Sequence, residues 1–222
     1  MRVLQPMKEK PGLFRYSFWK NTFDRILALV VLIITSPFML LIGITIRLDS
    51  KGRAIFAQKR IGKDGTLFTA YKFRTMECNN DESKYKDYIC KYVTENAPYR
   101  VNENGQKIFK VDDSHVTRVG ALLRKTNLDE LPQFINILKG EMSLIGPRPD
   151  VPFAVEMYNA RHRKRLGVKP GITGLWQVCG RKGRSFEDMV KLDLFYIKKQ
   201  SITLDIQILF STIKVVLNMD GS

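Results

Sequence analysis

The sequence predicts an α+β fold that is mostly helical. It reads as an N-terminal re-entrant membrane helix-break-helix and a small cytoplasmic domain with a β-hairpin and amphipathic membrane-surface helices. Three observations predict this. An uncharged run near the N-terminus has basic residues on both sides. Two partly alternating runs flank Lys63-Asp64-Gly65, and much of the remainder carries apolar residues at helical spacing. With 222 residues and 44% hydrophobic content, the chain can bury the core of one domain. The expected division is an N-terminal segment over 1–50 and a domain over 51–222.

The run from Ile26 to Ile46 holds 21 residues without a charge. A straight helix of that length covers a bilayer core of about 30 Å. It starts too far into the chain for a signal peptide and lacks a small-residue cleavage site. Ser36-Pro37 lies in its middle. Proline removes a backbone donor and kinks a helix, and the Ser36 hydroxyl can satisfy a carbonyl so freed. Arg15, Lys20 and Arg25 precede the run, and Arg47, Lys51 and Arg53 follow it. Positive flanks mark the cytoplasmic side. Positive flanks on both ends therefore predict a helix that enters, breaks at Ser36-Pro37 and returns. A kinked single span is the competing reading.

Residues 54–76 predict a β-hairpin turning at Lys63-Asp64-Gly65. Residues 77–113 are polar and predict a surface insertion. Residues 114–145 predict helix, with Val119, Leu122 and Leu123 on one face and Leu131, Phe134, Ile135 and Leu138 on another. Gly140 reads as its C-cap. A Gly-Pro-Arg-Pro loop at 146–149 leads to a helix from Val151 to about Arg165, ended by Lys169-Pro170-Gly171. The last helices fall at 185–199 and 203–218. In the second, Leu204, Ile208, Phe210, Ile213, Val216 and Leu217 form a broad apolar face, suited to a core or a membrane surface.

Lys and Arg number 37 against 22 Asp and Glu, a formal charge of +15. That surplus points to an anionic partner: nucleic acid, anionic lipid or a phosphorylated substrate. Cys78, Cys90 and Cys179 are odd in number and form no Cys-x-x-Cys, against a disulfide framework or a zinc site. His115 and His162 lack metal-ligand spacing. Phosphate-loop, dinucleotide, zincin and nucleophile-elbow motifs are missing, so those chemistries lose support.

Asn127-Leu128-Asp129-Glu130-Leu131-Pro132 reads as a helix start, with either Asn127 or Asp129 as the cap. Acidic residues in a first turn are ordinary caps, yet an ionised Asp there can also act as a nucleophile towards phosphorus. Candidate cations are Arg124, Lys125, Lys72, Arg74, Arg148 in its rigid loop, and eight Lys or Arg over 161–184. Phosphoryl transfer needs such groups to neutralise charge on the non-bridging oxygens. The 161–184 cluster also suits anionic lipid headgroups. It contains only Trp176 among aromatic residues, which disfavours nucleic acid as the partner.

Six ordered blocks then resemble the monotopic bacterial phosphoglycosyl transferases, also called bacterial sugar transferases. They are Lys20-Asn21-x-x-Asp24-Arg25, Ser36-Pro37, Lys72-Phe73-Arg74-Thr75-Met76, Leu128 to Gln133, Ser143 to Pro149, and Lys169 to Val178. The resemblance implies that residues 51–222 are a catalytic domain with the insertion at 77–113. It implies Ser36-Pro37 as the membrane break, Asp129 as nucleophile and Glu130 as its dyad partner. Arg124 and Lys72 would complete the active site. Mg²⁺ would sit at Asp129. Pro147, Arg148, Pro149, Arg74, Asp193 and Asp205 would contact substrate, the last two also by their match to family positions.

The implied reaction moves a sugar-1-phosphate from a UDP-sugar to undecaprenyl phosphate and releases UMP. The implied place is the cytoplasmic face of the bacterial inner membrane, with its anionic lipid surface. No nucleic acid takes part, and a homodimer is left open. The large multi-span N-terminal region of some relatives is not in this sequence, so the catalytic part alone is expected here.

Overall fold

A computed structural model describes residues 11–77, 82–96, 100–101, 107–108, 115–179 and 185–217. The order is α1 (Pro11–Asp49), β1 (Ile55–Ile61), β2 (Leu67–Phe73), α2 (Glu82–Thr94), a short pair β3 (Arg100–Val101) and β4 (Lys107–Ile108), and α3 (Arg118–Thr126). Then come α4 (Phe134–Lys139), β5 (Ser143–Ile145), α5 (Pro152–Glu156), α6 (Ala160–Arg163), β6 (Gly171–Thr173), α7 (Leu175–Val178), α8 (Phe186–Lys199) and α9 (Ile202–Leu217). The mixed, mostly helical class matches the expectation.

Helix α1 is a single helical element that carries Pro37, the expected break, inside it. Pro37 leaves the Ile33 carbonyl without its amide partner, and the Ser36 hydroxyl donates to that carbonyl at 2.9 Å.

Both flanks of the apolar run rest on the same domain. On the N-terminal side the buried Asp24 carboxylate accepts from Ser143 Oγ at 2.5 Å and from the Leu144 amide at 3.2 Å. Lys20 pairs with Asp205 at 2.7 Å, and Ala28 joins a core of Phe68, Ala70, Ile137, Met142, Tyr196 and Ile208. On the C-terminal side Ile42 and Ile46 pack on Phe73 and Leu123. Between these two footholds Ile33, Ile34, Leu40 and Leu41 are exposed.

Strands β1 and β2 pair antiparallel from Ile55↔Phe73 to Ile61↔Leu67, turning at Lys63–Gly65 as predicted. Asp64 and Gly65 both take positive φ there, which Gly and Asp tolerate. The 114–145 stretch is not one helix. Asn127 adopts the left-handed conformation (φ 56°, ψ 16°) and ends α3, a 3-10 turn spans Leu128–Gln133, and α4 follows. Gly140 does cap α4, with φ 82°. Leu123 and Ile137 are buried, whereas Leu122, Ile135 and Leu138 are exposed, so the predicted faces are only partly the core faces. The expected helix from Val151 to Arg165 is two short helices and a 3-10 turn at Lys164–Gly167.

The insertion is more than surface. Tyr92 and Val93 of α2 are buried in a core with Val151, Tyr158, Trp176 and Phe186. The turn expected at Asn104-Gly105 from its residue types lies outside the described residues. Helix α8 opens on the capping box of Ser185 and Asp188. Helix α9 divides its apolar residues. Ile208 and Leu204 face the core, while Ile202, Ile206, Phe210, Ile213 and Leu217 make an exposed stripe.

Candidate active site

Three pieces of chain meet at the carboxylate pair. Strand β2 brings Lys72, the end of α3 brings Arg124, and the loop after β5 brings Arg148. The 3-10 turn that starts beyond Asn127 carries Asp129 and Glu130, both buried at 7% and 8% exposure. No capping box forms. The Asn127 side chain makes no cap hydrogen bond, because its left-handed backbone closes α3 instead.

Glu130 Oε1 is the hub. Lys72 Nζ lies 2.8 Å from it and Arg148 Nη2 lies 2.9 Å from it. Asp129 stands off, with Lys72 Nζ at 3.9 Å from its Oδ2. Burial pushes the Asp129 carboxyl above the usual carboxylate range. Lys72 opposes that rise, Glu130 adds to it, and Arg148 and Arg124 oppose it. Burial also lowers Lys72, and Glu130 partly restores it. The Glu130 carboxylate raises Arg148 more than burial lowers it. Arg124 bonds Thr75 Oγ1 through Nε at 3.0 Å.

The other predicted residues lie elsewhere. Arg74 clamps the end of α1, donating to the carbonyls of Lys51 and Ser50 and to Ser50 Oγ. Asp205 binds Lys20 and the hydroxyls of Tyr16 and Tyr196, tying α9 to α1. Asp193 pairs with Arg165 at 2.8 Å, behind the Pro147-Arg148-Pro149 loop. The structure therefore gathers Asp129, Glu130, Lys72, Arg124 and Arg148, and does not bring Arg74, Asp193 or Asp205 to them.

For a divalent cation, the described residues contain no group of three or more His, Cys, Asp or Glu that could hold it. Magnesium commonly takes one or two carboxylates and completes its shell with water and substrate phosphate. Asp129 fits that pattern, since its nearest cation among the described residues is beyond hydrogen-bond distance, whereas Glu130 Oε1 is already shared by two cations.

Asn136 has no sequence signal, yet it sets this site. It is fully buried, accepts from the Tyr71 amide at 3.1 Å, and donates to the Thr69 carbonyl and to Glu141, both at 2.7 Å. It thus ties the free edge of β2, beside Lys72, to the helix that follows the carboxylates. Asn136→Ala orphans these groups and should lower unfolding free energy by about 2 to 4 kcal/mol. Denaturant titration of the full chain checks this, and an unchanged midpoint would refute it.

Comparison with known proteins bears on the whole chain. The family model described as bacterial sugar transferase matches residues 15–219. The chain belongs to the bacterial sugar transferase family.

An undecaprenyl-phosphate galactose phosphotransferase of Salmonella typhimurium is 43% identical over 92% of this chain and 42% of its own length. A UDP-glucose:undecaprenyl-phosphate glucose-1-phosphate transferase of Klebsiella pneumoniae is 38% identical over 88% of this chain and 39% of its own. The exopolysaccharide production protein ExoY of Sinorhizobium fredii is 38% identical over 91% of this chain and 87% of its own. The chain therefore spans about two-fifths of the first two relatives and most of the third. The matched part includes α1 from Arg15 onward and every residue of the carboxylate site.

Proposed function

We propose that this chain transfers a sugar-1-phosphate from a UDP-sugar to undecaprenyl phosphate and releases UMP. The observation that carries the reading is a buried Asp-Glu pair in which one carboxylate is tied up by two cations and the other is not. Glu130 holds Lys72 and Arg148 in place. Asp129 is the carboxylate left to react. The relatives' printed names supply the donor and acceptor classes, and they name both galactose and glucose.

In this reading an Asp129 oxygen attacks the sugar-bearing phosphorus. The bond from that phosphorus to the bridging oxygen breaks, and UMP leaves with the electron pair. A phosphate oxygen of undecaprenyl phosphate then attacks the same phosphorus, and Asp129 departs as carboxylate. The product is a sugar diphospholipid. Lys72, Arg148 and Arg124 balance the anionic oxygens throughout. Mg²⁺ at Asp129 would supply further neutralisation of phosphate charge. Burial of Asp129 strips water from the nucleophile, consistent with attack on phosphorus in place of hydrolysis.

The membrane reading rests on the two footholds of α1. Residues 20–28 and 42–50 pack on one domain, so the apolar run between them is favoured to dip into one leaflet and return. A straight span would carry its two flanks about 30 Å apart, on opposite faces. The exposed stripe of α9 suits the same membrane surface. The proposed location is the cytoplasmic face of the bacterial inner membrane, where positive flanks belong.

One experiment tests reaction and face together. Inverted and right-side-out membrane vesicles bearing the chain receive UDP-glucose, UDP-galactose or an N-acetylated UDP-sugar, with undecaprenyl phosphate and Mg²⁺. UMP release is expected from inverted vesicles only, and chelation of Mg²⁺ should stop it. No release from any donor sinks the reaction, and equal release from both vesicle types sinks the topology.

A further inference from the structure

The loop that carries Arg148 is held by its backbone carbonyls. Four consecutive carbonyls each receive a hydrogen bond, two of them from adjacent residues at the end of β1 and two from Arg165 and Gly171. The Gly171 amide reaches Pro147 O at 2.9 Å, and Arg165 Nη2 reaches Arg148 O at 3.4 Å. Arg60 Nη1 reaches Pro149 O at 3.0 Å, and the Ile61 amide reaches Asp150 O at 3.0 Å. Two prolines fix φ within the same loop. Such a loop has little freedom to swing its central side chain.

Arg165 is a deeply buried donor. It is 2% exposed, and its guanidinium is shared among several partners. Nε meets Asp193 of α8 at 2.8 Å, and Nη1 meets Asp150, the last residue of the gripped loop, at 2.7 Å. Nη1 also bonds the Tyr158 hydroxyl, which itself donates to Asp150. A buried ion network of this kind adds little net stability over apolar packing of equal volume. Orientation is the better account of its presence. The planar fork of arginine can hold three directions at once, which a lysine ammonium does not reproduce.

We propose that Arg165, seated by Asp193, is a positioning residue that fixes the Arg148 loop so that Arg148 meets both Glu130 and a donor phosphate. This rests on the reading above, in which Arg148 faces phosphate. It gives Asp193 a role without substrate contact: Asp193 acts on Arg165, Arg165 on the loop, and the loop on Arg148.

The test is a double-mutant cycle on the full chain in nanodiscs, with binding of UDP in Mg²⁺ measured by calorimetry. Arg165→Lys and Asp193→Asn should each weaken UDP binding by about tenfold when Arg148 is present. In an Arg148→Ala background the same changes should cost less than about twofold, because residues acting through one another are non-additive. Equal losses in both backgrounds overturn the proposal, as does unchanged binding when Arg148 is present. Asp193→Asn preserves side-chain size and covers the case in which Arg165→Lys fails to fold. If both variants lose their unfolding transition, the network only holds the fold and the proposal fails. If Arg148→Ala alone leaves UDP binding intact, the phosphate reading of Arg148 has failed instead.

Discussion

Asp129→Asn is expected to lower UMP release from the accepted UDP-sugar by at least about three orders of magnitude, the scale of losing a covalent nucleophile. The same change should leave the fold intact or firmer. Asp129 is buried beside Glu130, and burial and that neighbour both disfavour its charge. An amide of equal size relieves desolvation and repulsion together. It also removes no close ion pair, since Lys72 stands 3.9 Å away and keeps its 2.8 Å contact to Glu130. Lost turnover with a retained or raised unfolding midpoint is the signature of a residue kept for chemistry at a cost in stability. Glu130→Gln supplies the contrast, because it removes the charge that seats both Lys72 and Arg148 and should lower turnover and the midpoint together. Near-normal turnover of Asp129→Asn would remove the nucleophile assignment.

What the residues disclosed unaided follows the range of the interactions involved. The hairpin was legible because its turn is local: Lys63-Asp64-Gly65 and the flanking strands lie within one short stretch. Gly140 was legible for the same reason, as were the two last helices. The broken path from Thr126 to Phe134 was not. It depends on a left-handed Asn127, and a helical reading of the apolar spacing runs straight through it. Spacing also could not choose between the two sides of a helix. Leu122, Ile135 and Leu138 are exposed, while Leu123 and Ile137 are inside. On a chain with extensive outward apolar surface, periodicity marks apolar residues without saying which face the core.

The carboxylate pair and its cations were visible as motifs, but their division of labour was not. That Glu130 binds two cations while Asp129 is left apart is a fact of three-dimensional geometry. Arg60 and Asn136 were not legible as site residues because the loop carbonyl of Pro149 and the Tyr71 amide that they hold lie 89 and 65 positions away, and Arg165, one of the basic residues over 161–184, gave no sign in the sequence of its pairing with Asp193 of α8, 28 positions on.

Gly120→Ala should be a highly disruptive conservative change in the frame of the active site. Gly120 lies in the first turn of α3, where the Thr117 side chain caps the helix. A β-carbon there would stand 2.1 Å from the Thr75 carbonyl oxygen and 2.7 Å from Thr75 Cα. Both are backbone atoms that cannot swing aside, and the Thr75 carbonyl already accepts from the Thr117 amide at 3.1 Å. The helix must therefore move off the segment that follows β2. Overpacking of this kind costs about 1 to 3 kcal/mol or more. The functional loss should exceed the share explained by unfolding. Helix α3 carries Arg124 and leads directly into Asp129 and Glu130, while the segment it leaves carries Lys72 and Thr75. A displacement of about 1 Å between reacting groups can cost on the order of 100-fold in rate. Turnover measured well below the unfolding midpoint, where the variant is still folded, separates the two effects. A fully active, equally stable Gly120→Ala would mean that α3 does not hold Asp129 and Lys72 in register.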